Sequence, residues 1–321
     1  MKAVRINSKG GNEVLQYAEV PLPEAGAGQV VVQVAVAGVN FMDVGTRNGK
    51  VGGNYAPSIL GVEGAGRVVS VGARVTELAV GDRVAWVFVP HSYAEYVLAS
   101  VDALVKIPDD IDDHSAAAVM MQGLTASHFA THFHPIQPGE IALVHAGAGG
   151  LGRLLTQIIK LRGGRVISRV SSAAKVAIAK AAGADHVIVS HDGSFAEEAI
   201  GLSGGEGVHV VYDGSGPATF AGSVQALRRC GTFCWYGPVL GGPAPLDIMS
   251  LPKSIKLGYA VFFDSLYTPA LLRQQATQLF DWLRAGSLTL EVGAVYPLAD
   301  AAQALSALES RASTGKLLLV P

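Results

Sequence analysis

The chain has 321 residues, half of them hydrophobic and 16% charged, enough for about two domains with large apolar cores. A net charge of −2 leaves no basic excess for nucleic acid or an anionic membrane, and two cysteines cannot build a disulfide framework. Met1-Lys2-Ala3-Val4-Arg5-Ile6 does not read as a signal peptide, and no apolar run reaches membrane-spanning length, so a cytoplasmic setting is expected.

To about Gln122 the chain reads as strands and turns. Ala3–Ile6, Val14–Val20, Val30–Val39, Ala65–Val71, Arg83–Val87 and Tyr93–Leu98 carry β-branched or aromatic residues, punctuated by Pro21-Leu22-Pro23 and Gly26-Ala27-Gly28. Such short, closely spaced strands predict a small barrel-like unit. From Gly123 the texture changes. Strands at 141–145, 165–169, 186–189, 208–212, 231–236 and 255–262 alternate with helices beginning near 151, 172, 195 and 217, the pattern of an α/β doubly wound parallel sheet. A helix over Pro269–Arg284, a strand within Leu288–Tyr296, a helix over 299–310 and a strand Leu317–Val320 follow, and read as a return to the first unit. The expected division is 1–122 with 266–321, and 123–265.

The most informative stretch is Ile141–Arg162. An apolar strand leads into Gly147-Ala148-Gly149-Gly150-Leu151-Gly152, which fits G-x-G-x-x-G, and Leu151, Leu154, Leu155, Ile158 and Ile159 then fall at helical spacing. In such a loop one glycine makes the turn, one lets the backbone approach a pyrophosphate, and one lets helix and strand touch. The helix N-terminus offers N–H groups and a partial positive charge to phosphates. NAD-binding versions place an acid at the end of the second strand. Here no Asp or Glu occurs from Arg153 to Ala184, and the strand end offers Ser168, Arg169, Ser171, Ser172 and Lys175. Hydroxyls and cations suit a 2′-phosphate, so NADPH is the expected cofactor, with Arg169 supplying part of the preference.

In this order, Gly38-Val39-Asn40-Phe41-Met42-Asp43, Gly61-Val62-Glu63-Gly64-Ala65-Gly66, Val80-Gly81-Asp82-Arg83-Val84, Ser92-Tyr93-Ala94-Glu95-Tyr96, Gln122-Gly123-Leu124-Thr125-Ala126, the glycine loop, Val211-Tyr212-Asp213 and Glu309–Lys316 resemble the zinc-free, zeta-crystallin-like quinone oxidoreductases of the medium-chain dehydrogenase/reductase superfamily. The resemblance implies a GroES-like catalytic domain, a Rossmann domain, an active site in the cleft between them, and a homodimer. It also implies NADPH-dependent reduction of quinones or α,β-unsaturated carbonyls. Where such proteins commonly carry pocket tyrosines this chain has Gly45 and Val51, with Tyr55 close by, and Ser190 stands where a tyrosine often follows the third strand.

The zinc enzymes of that superfamily need a cysteine where this chain reads Gly38-Val39-Asn40, and a histidine where it reads Gly61-Val62-Glu63, so no catalytic metal is expected. A carbonyl must then be polarised by hydrogen bonds, and Asn40 and Asp43 are the catalytic candidates; a turn residue and a helix cap are their structural alternatives. Gln122 and Thr125 are candidates for the nicotinamide ribose or amide. Met42, Tyr55, Trp86, Phe88, Phe262 and Phe263 are candidate walls of an apolar pocket, Phe262 on the cofactor side. Asp213 is either a ligand-edge residue or the cap of its following turn. Glu63 is expected to be buried against an arginine. Cys230 and Cys234, evenly spaced on a strand, read as buried thiols on one face. His128, His132 and His134 form H-x3-H-x-H without an evident carboxylate partner. No histidine or tyrosine is clearly placed to give a proton, which leaves solvent. The alternatives are an enoyl-thioester reductase of the same fold and a non-catalytic NADPH-binding protein.

Overall fold

The computed structural model describes residues 1–51, 56–191, 194–237, 245–310 and 313–321. Tyr55 lies outside them. The chain divides into two units, Met1–Leu124 with Leu266–Gly286 and Leu290–Pro321, and Thr125–Ser265 with Ser287–Thr289.

The first unit opens with strands β1 (Lys2–Ile6), β2 (Leu15–Glu19) and β3 (Gln29–Val39), helix α1 (Phe41–Asn48), then β4 (Ser58–Ile59), β5 (Glu63–Val71), β6 (Arg83–Val87), β7 (Tyr96–Ser100) and β8 (Leu104–Lys106). β1 pairs antiparallel with β2 and β4 in a small sheet. The predicted strand starting at Tyr93 begins at Tyr96 instead, because Tyr93 is fully buried and its main chain bonds Val4 and Leu60.

Helix α2 (Asp113–His128) is absent from the sequence reading. Ala116–Met121 are all buried, so the helix lacks the polar face that makes periodicity visible. Its local signal is the start: the Asp112 carboxylate accepts the Ser115 N–H at 2.8 Å and its hydroxyl at 2.7 Å.

The second unit holds β9 (Ile141–His145), α3 (Gly150–Leu161), β10 (Arg165–Val170), α4 (Val176–Ala181), β11 (His186–Val189), α5 (Ala196–Leu202), β12 (Val208–Asp213), α6 (Pro217–Ala226), β13 (Leu227–Trp235) and β14 (Lys256–Tyr259). The six strands are parallel in the order β11-β10-β9-β12-β13-β14. Strand order reverses beside β9, which puts the glycine loop at the crevice where doubly wound sheets bind ligands. Ile141, Leu143, Ile167, Ile188, Val211 and Phe233 share the core of this unit, so the central strands read as unbroken apolar runs. β13 starts four residues before its predicted beginning. A register shift opposite Val208–Val210 and a left-handed Cys230 (φ 57°) break its alternation. The expectation of two buried thiols is therefore corrected: Cys234 is buried and Cys230 exposed.

Helix α7 (Pro269–Arg284) matches its predicted span, with Thr268 Oγ1 accepting the Leu271 N–H at 3.2 Å. β15 (Val292–Pro297), α8 (Ala301–Glu309) and β16 (Lys316–Val320) complete the first unit. β16 pairs with β3, giving the order β15-β16-β3-β5-β6-β8 with β7 also on β3. Lys316 thereby comes beside residues from the first fifth of the chain.

Candidate functional site

The glycine loop is built as its composition demands. A β-carbon at Gly147 would stand 2.5 Å from Ser168 Oγ, and one at Gly152 would collide with the Ala146 carbonyl, so Gly147 is closed to side chains by the neighbouring strand and Gly152 by the loop's own backbone. Gly149 differs. Its β-carbon would meet only the Ala146 carbonyl oxygen, at 3.2 Å, among the described residues outside its own chain neighbours. It is the N-cap of α3, with extended backbone, no side-chain cap and no acid in the first turn. An open approach to an uncapped helix N-terminus is the cradle a pyrophosphate requires. Ala148 is buried beneath the loop, while Gly150 and Leu151 are half-buried in the first turn.

At the end of β10 the structure separates residues that the sequence groups together. Ser171, Ser172 and Lys175 stand together in a short helical turn, with Lys175 Nζ 3.4 Å from Ser171 Oγ. Ser168 and Arg169 lie apart from them. Ser168 is fully buried beneath Gly147. The Arg169 guanidinium turns inward: it donates to the Ser190 carbonyl at 3.0 Å, lies 5.3 Å over the Phe195 ring, and approaches His145 Nδ1 at 3.5 Å. The reason is geometric. Ser168 alternates away from the strand surface that bears Arg169, and three neighbouring elements offer that guanidinium an acceptor and a π-face.

Behind Arg169 runs a buried polar chain. Ser223 Oγ donates to Asp213 Oδ2 at 2.7 Å, so it accepts from His145 Nε2 at 2.9 Å, leaving the Nδ1 lone pair toward Arg169. Burial, with Arg169 adding to it against the pull of Asp213, pushes the His145 imidazole down to about 4. Asp213 also accepts the Ser215 N–H at 2.8 Å and the Thr219 hydroxyl at 3.0 Å, which caps the turn after β12.

In the first unit, Asn40 is the N-cap of α1 and Asp43 its third residue, whose carboxylate accepts the Asn40 N–H at 2.8 Å and the Tyr93 hydroxyl at 2.7 Å. The Asn40 amide donates to Glu63 Oε2 at 2.8 Å and to the Gly38 carbonyl at 3.3 Å, and accepts from Lys316 Nζ at 2.8 Å. Both ends of the Asn40 side chain are thus engaged within the protein. Asp43 is 1% exposed, and burial outweighs its hydrogen bonds and pushes its carboxyl up to about 7. In this structure the pair caps α1, which starts directly at the end of β3 and engages both groups.

Glu63 is fully buried, as expected, but its partner is Lys316 at 2.5 Å rather than an arginine. A β-carbon at Gly38 would collide with the Glu63 carboxylate, so this ion pair closes that position to any side chain. Sequence reading missed Lys316 because only the pairing of β16 with β3 brings it in.

Gln122 and Thr125 sit three residues apart on α2, Gln122 half-buried and Thr125 buried. Phe262 is buried in a short helical turn, Phe262–Ser265. Of the other wall candidates, Trp86 is core, its Nε1 donating to Ser92 Oγ at 2.8 Å, while Phe263 is exposed. The histidines do not converge. His128 and His132 stack at 5.9 Å between ring centroids, but His134 pairs with Glu140 at 3.1 Å, a carboxylate the sequence pattern did not reveal. Among the described residues no group of three or more His, Cys, Asp or Glu side chains could hold a metal ion.

A parallel sheet whose first βα turn is an open glycine cradle defines a dinucleotide-binding α/β protein. Comparison with known proteins narrows this. Residues 26–109 match the alcohol dehydrogenase GroES-like domain, and residues 182–319 match the family described as zinc-binding dehydrogenase. A quinone oxidoreductase of Pseudomonas aeruginosa is 34% identical over 100% of this chain and 99% of its own. A 2-haloacrylate reductase of a Burkholderia species is 32% identical over 99% of this chain and 98% of its own. The solved structure of a mycobacterial protein complexed with NADPH superposes with a TM-score of 0.96 at 37% identity, covering 100% of both chains. The chain belongs to the quinone oxidoreductase family of the medium-chain dehydrogenase/reductase superfamily.

Proposed function

We propose that this chain is an NADPH-dependent reductase that passes hydride to a quinone or to the electron-poor carbon of an α,β-unsaturated carbonyl, with no metal at the reacting centre. The observation that carries this reading is the open, uncapped N-terminus of α3 at Gly149, next to a strand end that bears Ser171, Ser172 and Lys175 and no acid. The residues fit the cofactor. Main-chain N–H groups of the Gly147–Gly152 loop hold the pyrophosphate, and Ser171, Ser172 and Lys175 hold the 2′-phosphate. Ser168 and Arg169 support that rim from within. Gln122 and Thr125 orient the nicotinamide ribose and amide, and Phe262 is an apolar wall.

When bound, the dinucleotide supplies the hydride; two electrons and two protons then convert a quinone to a hydroquinone, the second proton coming from solvent. The protein's part is to orient the cofactor and exclude water. Asn40, Asp43 and Glu63 act on the scaffold rather than on the carbonyl.

The chain also acts as a homodimer. β14 is an edge strand of the six-stranded sheet whose Leu257 and Tyr259 are exposed, and nearby in sequence Ile248 and Met249 are 74% and 88% exposed, an apolar surface that a second copy would cover.

The functional reading is tested by following NADPH oxidation with a quinone, a simple enone and crotonyl-CoA. Turnover with the quinone or enone supports it. Turnover with crotonyl-CoA alone would favour an enoyl-thioester reductase. NADPH binding without turnover on any acceptor would overturn enzymatic function.

A further inference from the structure

Glu63 does more than neutralise a buried lysine. Its Oε2 receives Lys316 Nζ at 2.5 Å and Asn40 Nδ2 at 2.8 Å. Its Oε1 receives the main-chain N–H of Met121 at 2.6 Å. Met121 lies in the middle of α2, where a main-chain N–H ordinarily serves the carbonyl four residues earlier. Here a buried carboxylate on another element also takes hold of that N–H, and so of one turn of this helix. Fold stability alone does not explain the arrangement, since well-packed apolar residues commonly replace buried ion pairs without loss. Geometry does explain it. Lys316 and Asn40 hold Oε2 from two sides and so fix the direction of Oε1, which sets the rotation and axial position of the turn that begins at Met121. The residues of that turn include Gln122 and Thr125.

We propose that Glu63 is a positioning residue: through the Met121 N–H it holds the Gln122–Thr125 turn of α2 in register for the nicotinamide end of the cofactor, with Lys316 and Asn40 orienting its carboxylate. The proposal rests on the functional reading above for the roles of Gln122 and Thr125.

Two double variants of the full-length protein separate the acceptor from the ion pair. Glu63→Leu with Lys316→Met removes both. Glu63→Gln with Lys316→Met removes the charges but keeps an oxygen for Met121, while the new amide NH2 donates to Asn40 Oδ1 once the Asn40 amide flips end for end. The leucine variant leaves the buried Asn40 amide without Glu63 and Lys316 and is expected to melt somewhat earlier than wild type, while binding NADPH as wild type does by fluorescence titration. It is expected to lose about ten- to a hundredfold in kcat, the cost of a misplaced reacting group, with little change in KM for the acceptor. The glutamine variant is expected to recover most of that loss. Selective 15N labelling of the five methionines supplies a readout that needs no cofactor: the Met121 amide resonance shifts in the leucine variant and stays near its wild-type position in the glutamine variant.

Wild-type kcat in the leucine variant, or equal losses in both variants, would overturn the proposal. Should the leucine variant fail to fold, the glutamine variant decides: wild-type-like kcat and Met121 amide sustain the proposal, and loss of either overturns it. A wild-type protein that oxidises no NADPH with any acceptor would defeat the functional reading instead, and the Met121 contrast would still report the mechanical link.

Discussion

At the scale of single residues, Arg169 and Lys175 divide labour that their spacing alone suggests they share. Arg169 is committed to the Ser190 carbonyl and the Phe195 ring, whereas Lys175 stands beside Ser171 on the outer turn. A hydrogen bond to a charged group contributes about 1.5–3 kcal/mol, and partial exposure reduces it, so Lys175→Ala should weaken NADPH about tenfold and leave NADH unchanged. Arg169→Ala should instead lower Tm and weaken both cofactors alike. Titrations of each variant with each cofactor check this, and an NADPH-selective loss for Arg169→Ala would show that its inward contacts give way on binding.

Asp43 makes a pH prediction whose sign must be weighed against the histidines. Its folded carboxyl is raised to about 7, so between about pH 4 and 7 the native state binds more protons than the unfolded chain, and this group's contribution to stability falls as pH rises. His128 and His145, both lowered to about 4 chiefly by burial, work the other way and make stability rise from about pH 4 to 6.5. His91, His134 and His209, also lowered chiefly by burial, act in the same sense as His128 and His145 against the one carboxyl, so wild-type stability should rise over that window. Asp43→Asn should steepen the rise by about 1.4 kcal/mol per pH unit, the value of one proton. Denaturant unfolding across that range is the measurement, and parallel curves for the two proteins would mean that Asp43 stays ionised in the native state.

At the scale of elements, the first turn of α3 is the part whose alteration separates binding from folding. The backbone of Gly149 is extended, with φ −77°, and so accepts a β-branched residue. A valine there need displace the Ala146 carbonyl only by a few tenths of an ångström, yet its methyl groups would occupy the open approach to the helix N-terminus. Gly149→Val should fold with near-wild-type Tm and lose nucleotide binding in calorimetry. The same substitution at Gly152 would strike the backbone of Ala146 and Gly147 in the loop and unfold the unit, so the pair forms a built-in control.

At the scale of the whole molecule, the exposed apolar edge at β14 predicts a self-association that charge should abolish. Leu257→Lys with Tyr259→Glu should give a monomer in sedimentation, while wild type sediments as a dimer. A monomeric wild type would remove the homodimer from the proposed function.

Much of this molecule was legible because its signals are local. The glycine loop, the apolar central strands and the Thr268-capped helix α7 each depend on neighbours within a few residues, so composition and period alone determine them. The absence of an acid from Arg153 to Ala184 is equally a property of the sequence by itself. Helix α2 was not legible, because burial on all sides erases the contrast between faces that periodicity needs. Nor were the roles of Arg169, Asn40 and Glu63. A guanidinium, an amide or a carboxylate announces a hydrogen-bonding capacity, and only the strand pairings that bring β16 to β3, and set Ser190 and Phe195 beside β10, decide which partner uses it. The sequence thus determined the family, the nucleotide cradle and the class of chemistry. The tertiary structure decided which polar side chains the scaffold consumes and which stand at the cofactor rim, because the partners that satisfy a buried group come from distant parts of the chain.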